Sequence, residues 1–164
     1  MSSDAARSAL NDASRGAADV VLGLAAPDEF LEVRRLIEAG LARRWGSFDP
    51  TRNRDLAEFA ETYGRVPIVV AKAADGVIVG CGILIDETPG VARIVRMSVV
   101  HDQQRRGVGR CVLGALIEHA RRLRYREIVL ETTESWDSAV AFYRAHGFAE
   151  VRRAAGDVHF RYPL

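Results

Sequence analysis

Lysine is almost missing from this sequence: of 23 Lys and Arg, all but Lys72 are arginine. An excess of one charge sign is missing as well. The 22 Asp and Glu leave a formal net charge of +1, so no global field draws the chain to nucleic acid or to an anionic membrane. Cysteine is limited to Cys81 and Cys111, each inside an apolar run with no histidine close in sequence. They read as small buried hydrophobes, and a disulfide framework is excluded. No apolar run approaches the length of a membrane span, and the N-terminus lacks a signal-type apolar segment, so a cytoplasmic location is expected. No internal repeat occurs. No Cys/His/Asp grouping has metal-ligand spacing, so no metal is expected, and His119 and His146 read as ordinary, partly exposed helix residues. What remains is 48% hydrophobic and 27% charged over 164 residues, the balance of one soluble globular domain.

Residues 1–17 are small, polar and aperiodic and read as a flexible tail, which leaves 18–164 as the folded domain. A short β-rich run, Asp19–Leu24, precedes a helix opening at Pro27 and Asp28. Phe30, Val33, Leu36, Ile37, Leu41 and Trp45 then recur at helical spacing. After a break over Gly46–Asn53, a second helix is expected near Asp55–Tyr63, and the pair reads as a helical hairpin with a lid-like turn. Three strands follow, "RVPIVVAKA", "VIVGCGILID" and "VARIVRMSVV", joined by the turns "ADG" and "ETPG" into an antiparallel meander. A helix beginning after Gly107 puts Val108, Cys111, Val112, Ala115 and Leu116 on one face. The strand "EIVLET" comes next, so this strand–helix–strand unit should be a right-handed parallel crossover. "SWDSAVAFYRAHGF" reads as a helix capped by Ser135 and stopped at Gly147, and the chain closes as a hairpin about Gly156.

The segment with most chemistry in it is "QRRGVGR", Gln104–Arg110, between an apolar strand and a helix start. A helix N-terminus offers unpaired N–H groups and partial positive charge, and glycine lets a ligand approach the main chain. Arg105, Arg106 and Arg110 would add charge for a polyanion. The glycines alone do not separate this anion cradle from a loop that needs glycine for its turn or for close packing. Known nucleotide motifs are absent. No "GK[ST]" ends the segment, and Val112 stands where a dinucleotide fingerprint needs its third glycine.

"QRRGVG" after an apolar strand resembles the Q/R-x-x-G-x-G/A signature of GNAT-type N-acetyltransferases. "SAVAFYRAHGF" resembles that family's later segment, with Ala139, Phe142, Tyr143, Gly147 and Phe148 in register. The element order matches from about Asp19 onward. The resemblance implies an α/β (α+β) fold: one domain with a mixed, mostly antiparallel central sheet, a splayed parallel strand pair, and helices on both faces. It implies acetyl-CoA, or a related acyl-CoA, as co-substrate. Gln104, Arg105, Arg106, Gly107, Val108, Gly109 and Arg110 would then bind the pyrophosphate. Met97, Ser98 and Val99 would bind the pantetheine arm, with a strand bulge over 96–98.

Transfer from a thioester to an amine needs a deprotonated nucleophile, oxyanion stabilisation and a proton for the leaving thiolate. The Val99 amide could polarise the thioester carbonyl, and Tyr143, matching the family's tyrosine, could protonate the sulfur. Glu131, at a strand end, is taken as the base, with Asp86, Glu87, His101 and Asp102 as other strand-end carboxylates or imidazole. Holding amine and thioester together could also suffice without a base. Two residues depart from the family pattern. Trp136 replaces a frequent asparagine and would pack on the pantetheine or shape the acceptor pocket, while His101 replaces a frequent proline. The acceptor is expected to be a small-molecule or peptide amine. Arg43, Arg44, Trp45, Phe48, Arg52 and Arg54 in the hairpin favour an anionic acceptor only if they face the site. A non-catalytic acyl-CoA sensor of the same fold is the alternative, and binding of nucleic acid through the arginines ranks third. Edge strands in such folds often mediate dimers, so a homodimer is left open.

Overall fold

The computed structural model describes residues 19–164. The flexible tail expected over 1–17 lies outside the described residues. Apolar alternation and short turn connections produce β1 (Val21–Leu24), β2 (Ile68–Lys72), β3 (Ile78–Thr88) and β4 (Val91–Val99). After them come β5 (Glu127–Thr133), β6 (Ala149–Ala154) and β7 (Asp157–Pro163). The helices are α1 (Phe30–Trp45), α2 (Arg54–Ala57), α3 (Phe59–Tyr63), α4 (Val108–Arg122) and α5 (Asp137–Ala145). The strands form one mixed sheet in the order β1-β2-β3-β4-β5-β7-β6.

The chain divides into two compact units, one holding residues up to Ile83 with Arg96–Leu116, the other Leu84–Val95 with Ile117–Leu164. In the first unit, β1 pairs antiparallel with β2, and β2 with β3. Val33, Ile37, Leu56, Phe59, Tyr63, Val70, Val108 and Val112 are buried there. Burying several such side chains stabilises by roughly 1.5–3 kcal/mol each before entropy is counted. Gly80 and Gly82 let α4 lie close on β3. A Cβ on Gly80 would stand 2.7 Å from Val108 Cγ1, and one on Gly82 2.6 Å from Leu116 Cδ1.

In the second unit, β4 and β5 run parallel, with Val91, Ala92 and Arg93 opposite Glu127, Ile128 and Val129. This is the expected crossover geometry, since a helix-length connection is what parallel neighbours need. β7 returns antiparallel along the whole of β5, and β6 lies outside it. The β6–β7 turn has Ala155 and Gly156 both at positive φ (53° and 84°), the pattern of a tight hairpin whose twist matches its strands. Ile128, Leu130, Val140, Tyr143, Phe148, Val158 and Phe160 are buried in this unit.

Three expectations are corrected. The second helix of the hairpin is two short helices, α2 and α3, broken at Glu58 (φ −106°, ψ 40°). β3 continues through Thr88, so Glu87, assigned to the turn, lies in the strand, where its carboxylate accepts from Arg93. The N-cap of α5 is Trp136 rather than Ser135: its carbonyl accepts from the Ala139 and Val140 amides, and no side-chain cap is made. The helix does stop at Gly147, as expected.

Candidate active site

Gln104–Gly107 form the turn that opens α4, and Val108 is its first helical residue. Two residues of the turn, Arg105 (φ 62°) and Gly107 (φ 84°), are left-handed, while Arg106 between them is not. Alternation of this kind turns successive N–H groups toward one side, as in anion-binding nests. Left-handed backbone is open to glycine without cost, whereas Arg105 holds it against a steric penalty. The first helical bond is Cys111 N–H to the Gly107 carbonyl at 3.1 Å. Among the described residues, no acceptor takes a hydrogen bond of ordinary geometry from the amides of Arg105 to Arg110. Five main-chain donors, on the exposed or half-buried Arg105, Arg106, Gly107, Gly109 and Arg110, with the partial positive charge of a 15-residue helix behind them, are therefore available to a ligand. Arg105, Arg106 and Arg110 are exposed around them, and Val108 is buried beneath. This donor set fits a diphosphate.

Met97, Ser98 and Val99 lead into the turn on β4. The Val100 amide donates to the Val79 carbonyl on β3 at 2.9 Å. Consecutive N–H groups of a strand alternate in direction, so the Val99 amide faces away from β3. The Gln104 side chain donates to the Val99 carbonyl at 3.2 Å, tying turn to strand. The interruption expected over 96–98 falls at Arg96, a non-glycine residue at φ 56° inside β4. Ala92 and Ile94 alternate into the interior before it; after it, Met97, Ser98 and Val99 are all half-buried.

The Arg96 side chain has partners that sequence neighbours did not suggest. Its Nε and Nη2 donate to the two Asp55 oxygens at 2.9 and 2.7 Å, and its Nη1 donates to Asn53 Oδ1 at 3.2 Å. The Tyr63 hydroxyl donates to Asp55 Oδ2 at 2.5 Å. Burial pushes the Asp55 carboxyl up, but the bonds from Arg96 and Tyr63 outweigh burial and hold it below the usual carboxylate value. Burial, then the Asp55 carboxylate, pushes the Tyr63 hydroxyl up to about 12. An arginine inside an apolar strand was the available signal, because a charge there needs a partner. Which partner could not be read, since Asp55 lies 41 residues away.

In the second unit, Glu131 is exposed on β5, and its Oε2 accepts from Arg93 Nη1 at 2.9 Å. His159 Nδ1 lies 3.3 Å from the same oxygen. Arg93 also donates to both Glu87 oxygens, at 2.6 and 2.7 Å, and Asp86 accepts from the Tyr125 hydroxyl. Of the other strand-end groups, His101 and Asp102 are exposed in the short turn after β4. Tyr143 is buried on α5, its ring 5.3 to 5.9 Å from those of Phe142, Phe148 and Phe160. Trp136 is half-buried. Arg43, Arg44, Arg52 and Arg54 are exposed, so the condition under which they favoured an anionic acceptor loses support. Cys81 and Cys111 are buried free thiols, and burial pushes the Cys81 thiol up to about 12, which keeps it protonated and unreactive. No group of His, Cys, Asp and Glu among the described residues could hold a metal, and no helix there is long and apolar enough to cross a membrane.

Residues 32–148 match the model of the Acetyltransferase (GNAT) family. No curated protein sequence matches the chain. Among solved structures, a GNAT-family acetyltransferase from Staphylococcus aureus Mu50 is similar with a TM-score of 0.79 at 18% identity, covering 88% of this chain and 99% of that one. PaiA N-acetyltransferase from Thermoplasma acidophilum, in complex with coenzyme A, gives 0.75 at 11% identity, covering 89% and 99%. The ribosomal-protein-S18-alanine N-acetyltransferase from Escherichia coli gives 0.72 at 18% identity, covering 88% and 94%. Likenesses at such identities speak for the fold, while the family model spans most of the chain; on that ground the chain belongs to the GNAT family of acetyltransferases and is an acyltransferase.

Proposed function

We propose that the protein transfers an acetyl group from acetyl-CoA directly to a primary amine on a small molecule or peptide. The observation that carries this reading is the left-handed, arginine-flanked turn at the start of α4, where the amides from Arg105 to Arg110 donate no hydrogen bond of ordinary geometry. Coenzyme A in the Thermoplasma relative supports the choice of co-substrate. Bound acetyl-CoA supplies the activated acetyl thioester; the rest is done by the chain. Gln104 to Arg110 hold the diphosphate, and Met97, Ser98 and Val99 align the pantetheine arm. The Val99 amide polarises the thioester carbonyl, which is supported by its direction away from β3.

Tyr143 donates a proton to the departing sulfur. Glu131 accepts the amine proton. Its two contacts both fall on Oε2, which leaves Oε1 for that task, and Arg93 fixes the carboxylate in place. An alkylamine with a pKa near 10 is almost wholly protonated at neutral pH, so this proton must be removed before attack. Trp136 packs on the pantetheine or shapes the acceptor pocket.

The test is a thermal-shift titration with acetyl-CoA, then an amine screen under saturation that reads free thiol. Stabilisation by about 2.7 kcal/mol is expected at one hundred times the dissociation constant. Tyr143→Phe should keep that stabilisation and lose turnover by about a hundredfold or more, the range of general acid catalysis. Binding without turnover on any amine would favour the acyl-CoA sensor, and no binding would overturn both.

A further inference from the structure

Arg96 is an expensive choice for its position. At φ 56° inside a strand, glycine would be free of strain and asparagine nearly so, yet the residue is arginine and each of its three guanidinium nitrogens donates a hydrogen bond. The guanidinium takes both oxygens of Asp55 as a fork and the Asn53 amide oxygen besides. Asp55 is held in turn by the hydroxyl of buried Tyr63. On the opposite side the Arg96 carbonyl accepts from Cys81 Sγ at 3.8 Å, so the kinked residue is gripped by backbone and side chain together. The next three residues are Met97, Ser98 and Val99. A left-handed residue reverses the inward and outward alternation of a strand, so the conformation of Arg96 sets where the Met97 and Val99 amides point.

We infer that the Asp55–Arg96 pair is a positioning element: it holds β4 in its kinked form and thereby aims the Val99 amide at the thioester. The inference rests on the reading that residues 97–99 receive the acyl-carrying arm. Arg96 and Asp55 act through the strand and need no contact with the ligand. The segment 53–63 that supplies the grip belongs to the helical hairpin, so that hairpin supports the strand that carries residues 97–99.

The experiment uses the full chain and its Arg96→Ala, Arg96→Gly, Arg96→Lys and Asp55→Asn variants. Amide proton–nitrogen spectra are recorded with CoA and with acetyl-CoA, and kcat is measured with acetyl-CoA and the best amine of the screen. The spectrum of each variant reports its own folding, and Asp55→Asn, isosteric with the native residue, serves if Arg96→Ala unfolds. In the parent chain CoA should shift the Gly107 and Gly109 amides, and the acetyl group should add a shift at Val99. All four variants should keep the Gly107 and Gly109 response, with CoA affinity within about threefold, lose the acetyl-dependent shift, and lose kcat by roughly ten- to a hundredfold. Lysine should not rescue, since one ammonium cannot replace a fork. Retained kcat and Val99 shift in Asp55→Asn, or full rescue by Arg96→Gly, overturns the positioning role and leaves the acetyltransferase reading standing. Absence of any Gly107 or Gly109 response in the parent chain overturns both.

Discussion

Replacing Gly80 by alanine tests how the start of α4 is held. The new Cβ would lie 2.7 Å from Val108 Cγ1, against an ordinary carbon–carbon contact of about 3.5–4.0 Å. Relief therefore needs a movement of about 1 Å. Sideways escape is closed, because Val112 Cγ2 and the Ser98 carbonyl oxygen stand at 3.5 and 3.6 Å. Val108 cannot yield by rotation, being fully buried and β-branched on a helix. Overpacking of this kind costs about 1–3 kcal/mol, and the better strand propensity of alanine returns about 0.5–1 kcal/mol. With the upper half of that cost, as two closed directions of escape imply, the expected net loss is about 1–2.5 kcal/mol, read as a lowered urea midpoint with an unchanged m-value.

The same displacement reaches the Gly107–Gly109 amides, so CoA affinity should fall about tenfold, the equivalent of 1.4 kcal/mol. Val108→Ala in the Gly80→Ala background removes the opposing methyl group, and the pair should show a coupling of at least about 1 kcal/mol. Gly82→Ala is the internal comparison. Its nearest neighbours, Leu116 Cδ1 at 2.6 Å and Met97 Sδ at 2.7 Å, are the far ends of flexible side chains and should yield at lower cost. Parent-like stability of Gly80→Ala, or additivity with Val108→Ala, would refute the close-packing argument.

Three further outcomes follow from the same unit. The Tyr63 hydroxyl is raised from 10.0 to about 12, so its contribution to stability is complete below pH 10 and is lost as the pH rises toward 12. Tyr63→Phe should lack this alkaline loss, which amounts to about 2 kcal/mol in the parent, and chemical denaturation at pH 9 and 11.5 checks it. Asp55 has the opposite sign: its lowered carboxyl stabilises above about pH 4 and ceases to do so as the pH falls through its folded value, so Asp55→Asn should flatten the acid limb. Gly107→Ala places a side chain at φ 84° and should cost about 1–2 kcal/mol in urea denaturation, together with most of the CoA-induced thermal shift.

The legible parts of this fold were those written in local chemistry. Tight turns at Gly76, Gly90 and Gly156 marked the strands, and the helix after Gly107 marked the crossover that makes β4 and β5 parallel. The turn proposed as an anion cradle was legible for the same reason, because glycines, arginines and a helix start stand together in seven residues. Pairings set by sheet register were not. Asp55 finds Arg96 across 41 residues, and Glu131 finds Arg93 across 38, only once the strands are assembled. Arg93 and Arg96 are thus served by distant acids. The cap of α5 was misread for a related reason: Ser135 has the better side chain, but the Trp136 amide bonds the Thr133 carbonyl as β5 ends, which fixes where the helix begins.

The claim beneath the functional account is that the amides before and within the first turn of α4 bind a diphosphate. Isothermal titration with acetyl-CoA and with S-acetylpantetheine, which has the same thioester and no diphosphate, tests it directly. Two charge-assisted bonds at about 1.5 kcal/mol each correspond to roughly a hundredfold, so acetyl-CoA should bind at least that much more tightly. Equal affinity for the two compounds would contradict the account.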